Sequence, residues 1–301
     1  MTSEADLAEL IEVYDPEVAF ERLAHEHRLE TLLVLAETGE LPFEELRREV
    51  GADDPGGFNY HLQRLVGLFV EKADDLYRLT PAGNRVVGAV LSGAFSSDLA
   101  GGTVETDGAC PRCDAGLSLS MEQSWVSLHC QDCDFRYNRI GIPPRALSGH
   151  EPSSIYPLID RWVKRWITTA TFGFCPRCDG QMGRTVLMAD DPEDWGGSVP
   201  GWIEELPVEA VVQFDCRRCD EERYAHVASV AALHPVIAGF HYDHGIDIRS
   251  EPLFDLEWLS LGVAEITNRE PLRVEVSGNI GDADFEARFD RTFSLVDSTT
   301  R

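Results

Sequence analysis

Positive charge is scarce in this sequence. Lys72 and Lys164 are its only lysines, and 26 Lys and Arg residues stand against 53 Asp and Glu in 301 residues, for a net charge of −27. The basic surface that usually marks a nucleic-acid-binding protein is therefore missing. The acidic residues are spread along the whole chain, a profile that fits a cytoplasm holding molar salt, where an anionic surface keeps a protein soluble.

The sequence also lacks a membrane-spanning or secretory segment. No apolar run approaches the roughly eighteen residues that a span requires, and residues 1–6 are acidic where a signal peptide would be basic. We therefore expect a cytoplasmic protein that has no membrane partner.

Catalytic motifs are missing as well. The chain contains no phosphate-cradling glycine loop, no nucleophile elbow and no H-E-x-x-H zinc motif. Its length allows two or three domains, each with a core of its own. We predict a binding protein and not an enzyme.

Cysteine is absent before residue 110, and every cysteine after it belongs to a C-x-x-C pair. The pairs are Cys110/Cys113, Cys130/Cys133, Cys175/Cys178 and Cys216/Cys219. Two facing pairs present four thiolates to one Zn²⁺, and in a reducing cytosol zinc is favoured over disulfides. The sequence therefore predicts two zinc sites.

The spacing of the cysteine pairs separates the two predicted zinc ribbons. Sixteen residues lie between the first two pairs, and thirty-seven lie between the last two, including a flexible, acidic insertion at 189–201. A fourth cysteine fills the position that water occupies in a hydrolytic zinc site. We expect structural Zn²⁺ ions, while zinc or redox sensing and a partner-binding face stay open alternatives.

Residues 42–80 predict two short amphipathic helices and a hairpin. The first helix carries Phe43, Leu46 and Val50 on one face and ends at Gly51. The apolar stripe expected for the second helix, which begins after Asp54-Pro55, is Phe58, Leu62, Leu65 and Phe69. The hairpin strands cover 69–72 and 76–79, and Thr80-Pro81 begins a further helix.

Acidic residues are absent from 55–70, where the composition predicts about three. A surface that approaches phosphate has to lack acidic side chains, because they repel it. The predicted DNA contacts are Asn59, Tyr60, Gln63 and Arg64 on the second helix, with Gly67 on the same face, and Lys72 and Arg78 on the hairpin.

Residues 20–70 resemble the ArsR-like winged helix-turn-helix regulators. The resemblance is carried by Leu23-x4-Arg28-Leu29, His61-Leu62-x2-Leu65 and Leu68-Phe69-Val70. The phrases at 58–62, 234–235 and 243–247 look like haloarchaeal transcriptional regulators that join such a domain to zinc-ribbon segments. Metal-sensing members of the ArsR family carry cysteines on a helix of the DNA-binding domain, so the resemblance does not extend to metal sensing by that route.

The resemblance implies a transcriptional regulator that binds double-stranded operator DNA as a homodimer. In molar salt, phosphate contacts contribute little, so base contacts and shape must supply more of the affinity. The alternative is an adaptor of the transcription machinery whose ribbons bind partners and whose winged helix does not read DNA. The acidic residues around the predicted DNA face favour it: Asp53, Asp54, Glu71, Asp74 and Asp75.

Residues 154–171 predict a connecting helix. Its apolar face is Ile155, Leu158, Ile159, Trp162 and Trp166, and its basic patch is Arg161, Lys164 and Arg165. The basic patch would contact flanking DNA or an acidic partner. The alternative is that the helix is only a packed linker. In the last eighty residues, the period-two segments 273–277 and 285–289 predict an antiparallel hairpin.

Ligand sensing and dimerisation are both open uses for the C-terminal region, and its effector is unknown. Its metal-type residues are His241, Asp243, His244 and Asp247. We attribute these histidines to the attraction of a helix C-terminus and not to a metal site.

The predicted fold class is α+β. We expect a winged helix-turn-helix at 1–98, a first zinc ribbon at 105–150, a connecting helix at 151–172, a second zinc ribbon with its acidic insertion at 173–230 and a small α+β region at 231–301.

Overall fold

The computed structural model describes residues 15–95, 101–110, 113, 115–133, 136–151, 154–204, 206–256, 258–259 and 263–301. It has a mixed α+β fold that divides into two compact units. The N-terminal unit lies within residues 1–98 and takes in 143–146, and the C-terminal unit contains the rest. Within the described ranges, no helix is both long and apolar enough to cross a membrane.

Helices and one small sheet build the N-terminal unit. Its elements are α1 (Pro16–Glu21), α2 (Glu26–Thr38), β1 (Glu40–Pro42), α3 (Phe43–Glu49), α4 (Pro55–Leu65), β2 (Val70–Ala73), β3 (Leu76–Leu79) and α5 (Pro81–Leu91). The strands form an antiparallel sheet in the order β1-β3-β2. The core includes Leu32, Leu46, Phe58 and Leu62, which α2, α3 and α4 contribute. The predicted helices and hairpin are confirmed, and β1 is an addition that pairs with β3.

Local capping signals fix where α4 and α5 begin. Asp54 accepts hydrogen bonds from the backbone N–H groups of Gly56 and Gly57, at 3.0 and 2.8 Å. Thr80 caps α5 by accepting from the N–H of Gly83 at 3.1 Å. Between β2 and β3, Asp74 and Asp75 both have positive φ. A two-residue turn of that kind matches the twist of a hairpin, so it sets the strand register.

The C-terminal end of α4 differs from the predicted stripe. The helix ends at Leu65, Val66 is extended, and Gly67 has a φ of +91°. Glycine adopts that conformation without a steric penalty, so the chain turns here. Phe69 is buried in the core, but it lies beyond the helix. The placement of Phe69 and Gly67 on the helix was therefore wrong.

Three antiparallel sheets and four α-helices dominate the described part of the C-terminal unit. Its elements are β4 (Gly102–Ala109), β5 (Gly116–Glu122), β6 (Trp125–Cys130), β7 (Arg136–Gly141), α6 (Ile155–Thr171), β8 (Met182–Met188), α7 (Gly201–Glu204), β9 (Ala210–Cys216), β10 (Glu222–His226), α8 (Val227–Ala232), α9 (Pro235–Asp243), β11 (Ala264–Arg269), β12 (Leu272–Ile280), β13 (Ala283–Asp290) and β14 (Leu295–Thr300). The sheet orders are β4-β5-β6-β7, β10-β9-β8 and β11-β12-β13-β14.

One apolar core joins α6, the β10-β9-β8 sheet, α8, α9 and the C-terminal sheet. It runs from Ile167 to Phe293 and so continues across the boundary expected at residue 230. Val186 and Val212 face this core, while their neighbours Leu187 and Val211 pack into a second cluster on the opposite face. Alternation along β8 and β9 therefore buries both faces of the sheet.

The acidic insertion between β8 and β9 is a packed cap, so the prediction of a loose loop was wrong. Asp194 accepts from the backbone N–H of Met188 at 2.7 Å and pairs with Arg291 at 2.5 Å. The indole N–H of Trp195 donates to the Met188 carbonyl at 2.8 Å. The turn around Arg291 also bonds β8, because the Arg291 carbonyl accepts from the N–H of Val186 at 2.8 Å.

Lys164 does not belong to an exposed basic patch on α6. Its ammonium group lies 2.5 Å from Asp160 Oδ2, with the two side chains only 7% and 2% exposed. It also donates to the Glu251 carbonyl, and Asp160 accepts from the N–H of Leu253 at 2.9 Å. Burial of a charge requires such partners, and residues 160 and 164 lie one helical turn apart. The patch is reduced to Arg161 and Arg165, which are exposed.

Candidate metal centres and nucleic-acid interface

The first four cysteines meet at one end of the β4-β5-β6-β7 sheet. Cys110 directly follows β4 and Cys130 ends β6. The Sγ atom of Cys113 lies 3.4 Å from that of Cys130 and 3.6 Å from that of Cys133, and the Cys110 and Cys133 sulfurs are 3.8 Å apart. The structure therefore brings together the set that the spacing predicts.

The last four cysteines form a matching cluster beside the β10-β9-β8 sheet. Cys175 follows α6, and Cys216 is the last residue of β9. The Sγ atoms of Cys175 and Cys219 are 3.8 Å apart, and those of Cys178 and Cys216 are 3.6 Å apart. The thirty-seven intervening residues do not prevent closure, because β8 and β9 pair directly from Met182↔Cys216 to Met188↔Ala210.

Three of the four cysteine loops share one backbone pattern. The N–H of the first cysteine donates to the carbonyl five residues later: Cys110 to Ala115 at 2.7 Å, Cys175 to Gly180 at 2.8 Å and Cys216 to Glu221 at 2.9 Å. This hydrogen bond joins the two ends of each loop. The phrase Cys-Pro-Arg-Cys-Asp begins at both Cys110 and Cys175, and this hydrogen bond occurs at both copies.

Backbone donors also favour the thiolate form of two cysteines. The N–H groups of Cys133 and Asp132 point at the sulfur of Cys130 and lower its pKa to about 6. The N–H groups of Arg218 and Cys219 lower the pKa of Cys216 to about 7. The thiolate is the form that binds metal.

Both clusters fit one tetrahedral Zn²⁺ each. Sulfurs about 2.3 Å from a common ion lie about 3.8 Å from one another, and the observed separations are 3.4–3.8 Å. These separations exclude disulfides, whose sulfurs are about 2.05 Å apart. Bound Zn²⁺ would cross-link the two loops of each cluster, and four thiolates leave no open position for a substrate.

The six predicted DNA contacts lie on the surface of the N-terminal unit. Phe58, Leu62 and Leu65 bury one face of α4. The opposite face exposes Asn59, Tyr60, Gln63 and Arg64, and the hairpin exposes Lys72 and Arg78. The Arg64 guanidinium group lies 5.5 Å from the centre of the Tyr60 ring and donates to its hydroxyl at 3.3 Å.

The two hairpin cations are paired with acids of the same hairpin. Lys72 lies 2.9 Å from Asp75, and Arg78 lies 2.7 Å from Glu71. These contacts raise the pKa of both cations and lower that of Asp75. With Lys72 and Arg78 against the three acids Glu71, Asp74 and Asp75, the hairpin carries a net charge of −1.

Comparison with known proteins finds two families along the chain. A domain of unknown function, DUF7351, matches residues 107–295 and contains both cysteine clusters. The chain belongs to the DUF7351 family. A second domain of unknown function, DUF7347, matches residues 16–90, which covers α1 to β3 and nearly all of α5. No curated protein and no solved structure matches the chain.

A cavity of about 800 Å³ lies within the DUF7351 segment. Four aromatic side chains (Trp125, Trp166, Trp202 and Tyr224) and three arginines (Arg136, Arg139 and Arg223) help to line it. Arg139 lies over the Trp125 ring at 4.6 Å and Arg223 over the Trp166 ring at 5.5 Å. Glu221 and Glu222 line the same cavity, and Arg223 pairs with Glu221 at 2.9 Å, so the lining carries charges of both signs.

The C-terminal histidine and aspartate residues of the DUF7351 segment are not assembled as a metal site. His241 is fully buried, its Nδ1 contacts the Ile237 carbonyl at 2.8 Å, and its Nε2 accepts from the Trp258 indole at 2.7 Å. Asp247 instead pairs with Arg249 at 2.8 Å. His241 is thus a hydrogen-bonded core residue.

Three histidines of the DUF7347 segment meet in the structure, although sequence reasoning did not group them. His25 and His27 lie at the start of α2, and His61 lies on α4. One ring nitrogen from each lies within 4.8 Å of those of the other two. The His-x-His pattern at 25–27 is a local signal, but only the packing of α2 against α4 brings His61 to it.

Proposed function

We propose that the chain is a DNA-binding transcriptional regulator. In this proposal α3 and α4 form the helix-turn-helix, α4 reads the major groove, and the β2–β3 hairpin is the wing. Two copies bind a pseudo-palindromic operator with half-sites about one helical turn apart. The cysteine clusters of the DUF7351 segment serve as structural zinc ribbons, a role supported by their sulfur separations and closed ligand sets.

The observation that carries this proposal is the surface of α4. Asn59, Gln63 and Arg64 project from a helix whose other face is fixed in the core, and side chains of these types match base edges of the major groove. Acidic residues are absent from the whole of α4, although they make up about a sixth of the chain. The apolar anchors hold the helix rigidly, which is what a reading surface requires.

The pairing of the wing cations with acids favours DNA binding through base contacts over binding through phosphate contacts. Because Lys72 and Arg78 already neutralise Asp75 and Glu71, few counterions would be released when the wing meets phosphate. Affinity would then rest mainly on base contacts, which molar salt weakens less. An acidic protein can bind DNA if most of its affinity comes from base contacts.

The decisive experiment is selection of genomic DNA fragments by the purified chain in about molar KCl, because phosphate affinity depends steeply on salt. We expect enrichment of a shared pseudo-palindrome. The double variant Asn59→Ala/Arg64→Ala should lose it, since each good base contact contributes roughly 1–3 kcal/mol. Asn84→Ala/Arg85→Ala, which changes the same residue types on exposed positions of α5, is the matched control and should retain it.

A protein-interaction adaptor is the second candidate function. The acids Glu71, Asp74 and Asp75 on the hairpin favour it, because two of them occupy the cations that would otherwise approach phosphate. Folded, zinc-loaded protein that enriches no sequence, and that co-purifies with a component of the transcription machinery, would establish the adaptor and refute DNA reading.

A further inference from the structure

The three histidines at the junction of α2 and α4 form a compact imidazole cluster. The His25 and His61 rings are stacked with centroids 3.7 Å apart. The His27 ring lies 5.3 Å from that of His25 and 5.9 Å from that of His61. All three side chains are partly exposed, so an ion can reach them from solvent.

The chemistry of this cluster is that of a metal-binding site. Neutral imidazole is the commonest protein ligand for Zn²⁺, Co²⁺, Ni²⁺ and Cu²⁺. Backbone positions on two helices hold the rings close together before any ion binds.

The nitrogen separations allow closure around one ion. Zinc–nitrogen bonds of about 2.0–2.1 Å place tetrahedral ligand nitrogens roughly 3.4 Å apart. The ring nitrogens lie within 4.8 Å of one another, so they must approach by up to about 1.4 Å. Rotation of partly exposed side chains supplies that movement without displacing either helix.

We propose that His25, His27 and His61 form a third metal site, separate from the cysteine clusters, that takes one divalent first-row cation through three imidazoles and leaves a fourth position open to water. The site differs in ligand chemistry from the thiolate clusters, so the two kinds of site can be observed separately. The inference does not depend on DNA being the partner.

Arg28 is the natural competitor of the ion. Its Nε–H donates to Nδ1 of His61 at 3.2 Å, and the backbone N–H of His27 donates to Nδ1 of His25 at 3.2 Å. A neutral ring that accepts at Nδ1 carries its proton on Nε2. For Nε2 to bind metal, the proton must move to Nδ1, which then donates and can no longer accept from Arg28.

Metal binding is therefore coupled to release of Arg28 from His61. Arg28 also brings a positive charge close to the ion, which disfavours binding. Its second anchor, the bond from Nη1 to the Glu21 carbonyl at 2.8 Å, keeps it nearby in either state. The geometry thus assigns Arg28 an effect opposite in sign to that of the histidines.

The test is titration of the full chain with Co²⁺ after its cysteine clusters have been loaded with Zn²⁺. We expect one further Co²⁺ per chain, with visible d–d absorption and no thiolate-to-metal charge-transfer band. His61→Gln should weaken this binding at least tenfold, and the exposed control His244→Gln should leave it unchanged. Arg28→Gln should tighten it severalfold.

Two outcomes would overturn the proposal. One is that zinc-loaded protein binds no further Co²⁺, and the other is that binding is unaffected by His61→Gln. Equal or weaker binding by Arg28→Gln would refute the competition. Imidazole-nitrogen NMR of the unsubstituted chain gives an independent readout, since adding Zn²⁺ should shift the ring resonances of these three histidines and no others.

Discussion

Replacing Lys164 with methionine should strongly destabilise the C-terminal unit. The substitution keeps most of the side-chain volume and removes the positive charge that lies 2.5 Å from the buried Asp160 carboxylate. Removal of one partner from a buried pair typically costs about 3–5 kcal/mol, because the remaining charge is left without compensation. The Glu251 carbonyl loses its donor as well.

Protonation of Asp160 limits the size of this effect. In the native chain burial already raises the pKa of Asp160, although Lys164 opposes the shift. Without Lys164 the folded-state pKa must rise further, while the unfolded value stays near 3.9. Taking up a proton at pH 7 costs about 1.4 kcal/mol for each unit between 3.9 and 7, which bounds the charge penalty at about 4 kcal/mol.

The penalty therefore depends on pH with a definite sign. A group whose folded pKa is raised loses stability as pH rises, because the folded state holds the proton more tightly than the unfolded state. The extra destabilisation of Lys164→Met should grow by up to about 1.4 kcal/mol per pH unit above pH 4. It should approach the small cost of the lost packing and hydrogen bond at lower pH.

Denaturant unfolding in concentrated KCl, followed by tryptophan fluorescence, measures this effect. The double variant Asp160→Asn/Lys164→Met removes both charges and leaves an acceptor for the Leu253 N–H, so it should recover most of the lost stability. Arg165→Met, at an exposed neighbouring position, should change the free energy of unfolding by less than about 0.5 kcal/mol. A cost below about 1 kcal/mol for Lys164→Met, or a double variant less stable than the single one, would refute the reasoning.

Two further predictions concern acid and metal removal. Burial lowers the pKa of His226 to about 4 in the folded chain, against about 6.5 in the unfolded chain. Because the unfolded state takes up the proton first, lowering the pH from 6.5 to 4 should reduce the free energy of unfolding by about 3 kcal/mol through this residue. His226→Phe should flatten the pH dependence of the free energy of unfolding in that window, and an unchanged slope would contradict this role of His226. Chelation of protein that carries Zn²⁺ only at its cysteine clusters should release two equivalents, one for each cluster, and lower the unfolding temperature of the C-terminal unit in calorimetry. Release without any thermal shift would show that these ions are not structural.

Short-range signals made much of this fold predictable. Asp54-Pro55 and Thr80-Pro81 mark helix starts because a capping side chain and a proline act within three residues of themselves. The cysteine spacing identifies both clusters for a similar reason, since each C-x-x-C loop is a local structure. The period-two segments of β12 and β13 likewise reveal their pairing.

Long-range contacts account for what the sequence did not reveal. Lys164 was assigned to a basic patch although its ion-pair partner Asp160 lies one helical turn before it. The burial of this pair depends on distant segments, among them the Glu251 carbonyl 87 residues away. The cap formed by the acidic insertion depends on Arg291, 97 residues beyond Asp194. His61 joins His25 and His27 only through helix packing. For Lys164 and the acidic insertion, composition described the surface that a segment would expose if it stood alone, and tertiary contacts reversed that assignment.

The hydrogen bonds between β8 and the turn around Arg291 imply that the two cysteine clusters are completed at different times during synthesis. The first and last ligands of the first cysteine cluster are separated by only 23 positions, so it can assemble and capture metal while most of the chain is still untranslated. Those of the second are separated by 44 positions, and its strand β8 obtains the Arg291 and Thr292 carbonyls as partners only from the last dozen residues. Because chains emerge N-terminus first, the Val186 N–H on the outer edge of β8 lacks its Arg291 partner until translation is nearly complete. An incompletely paired strand edge can pair with another chain.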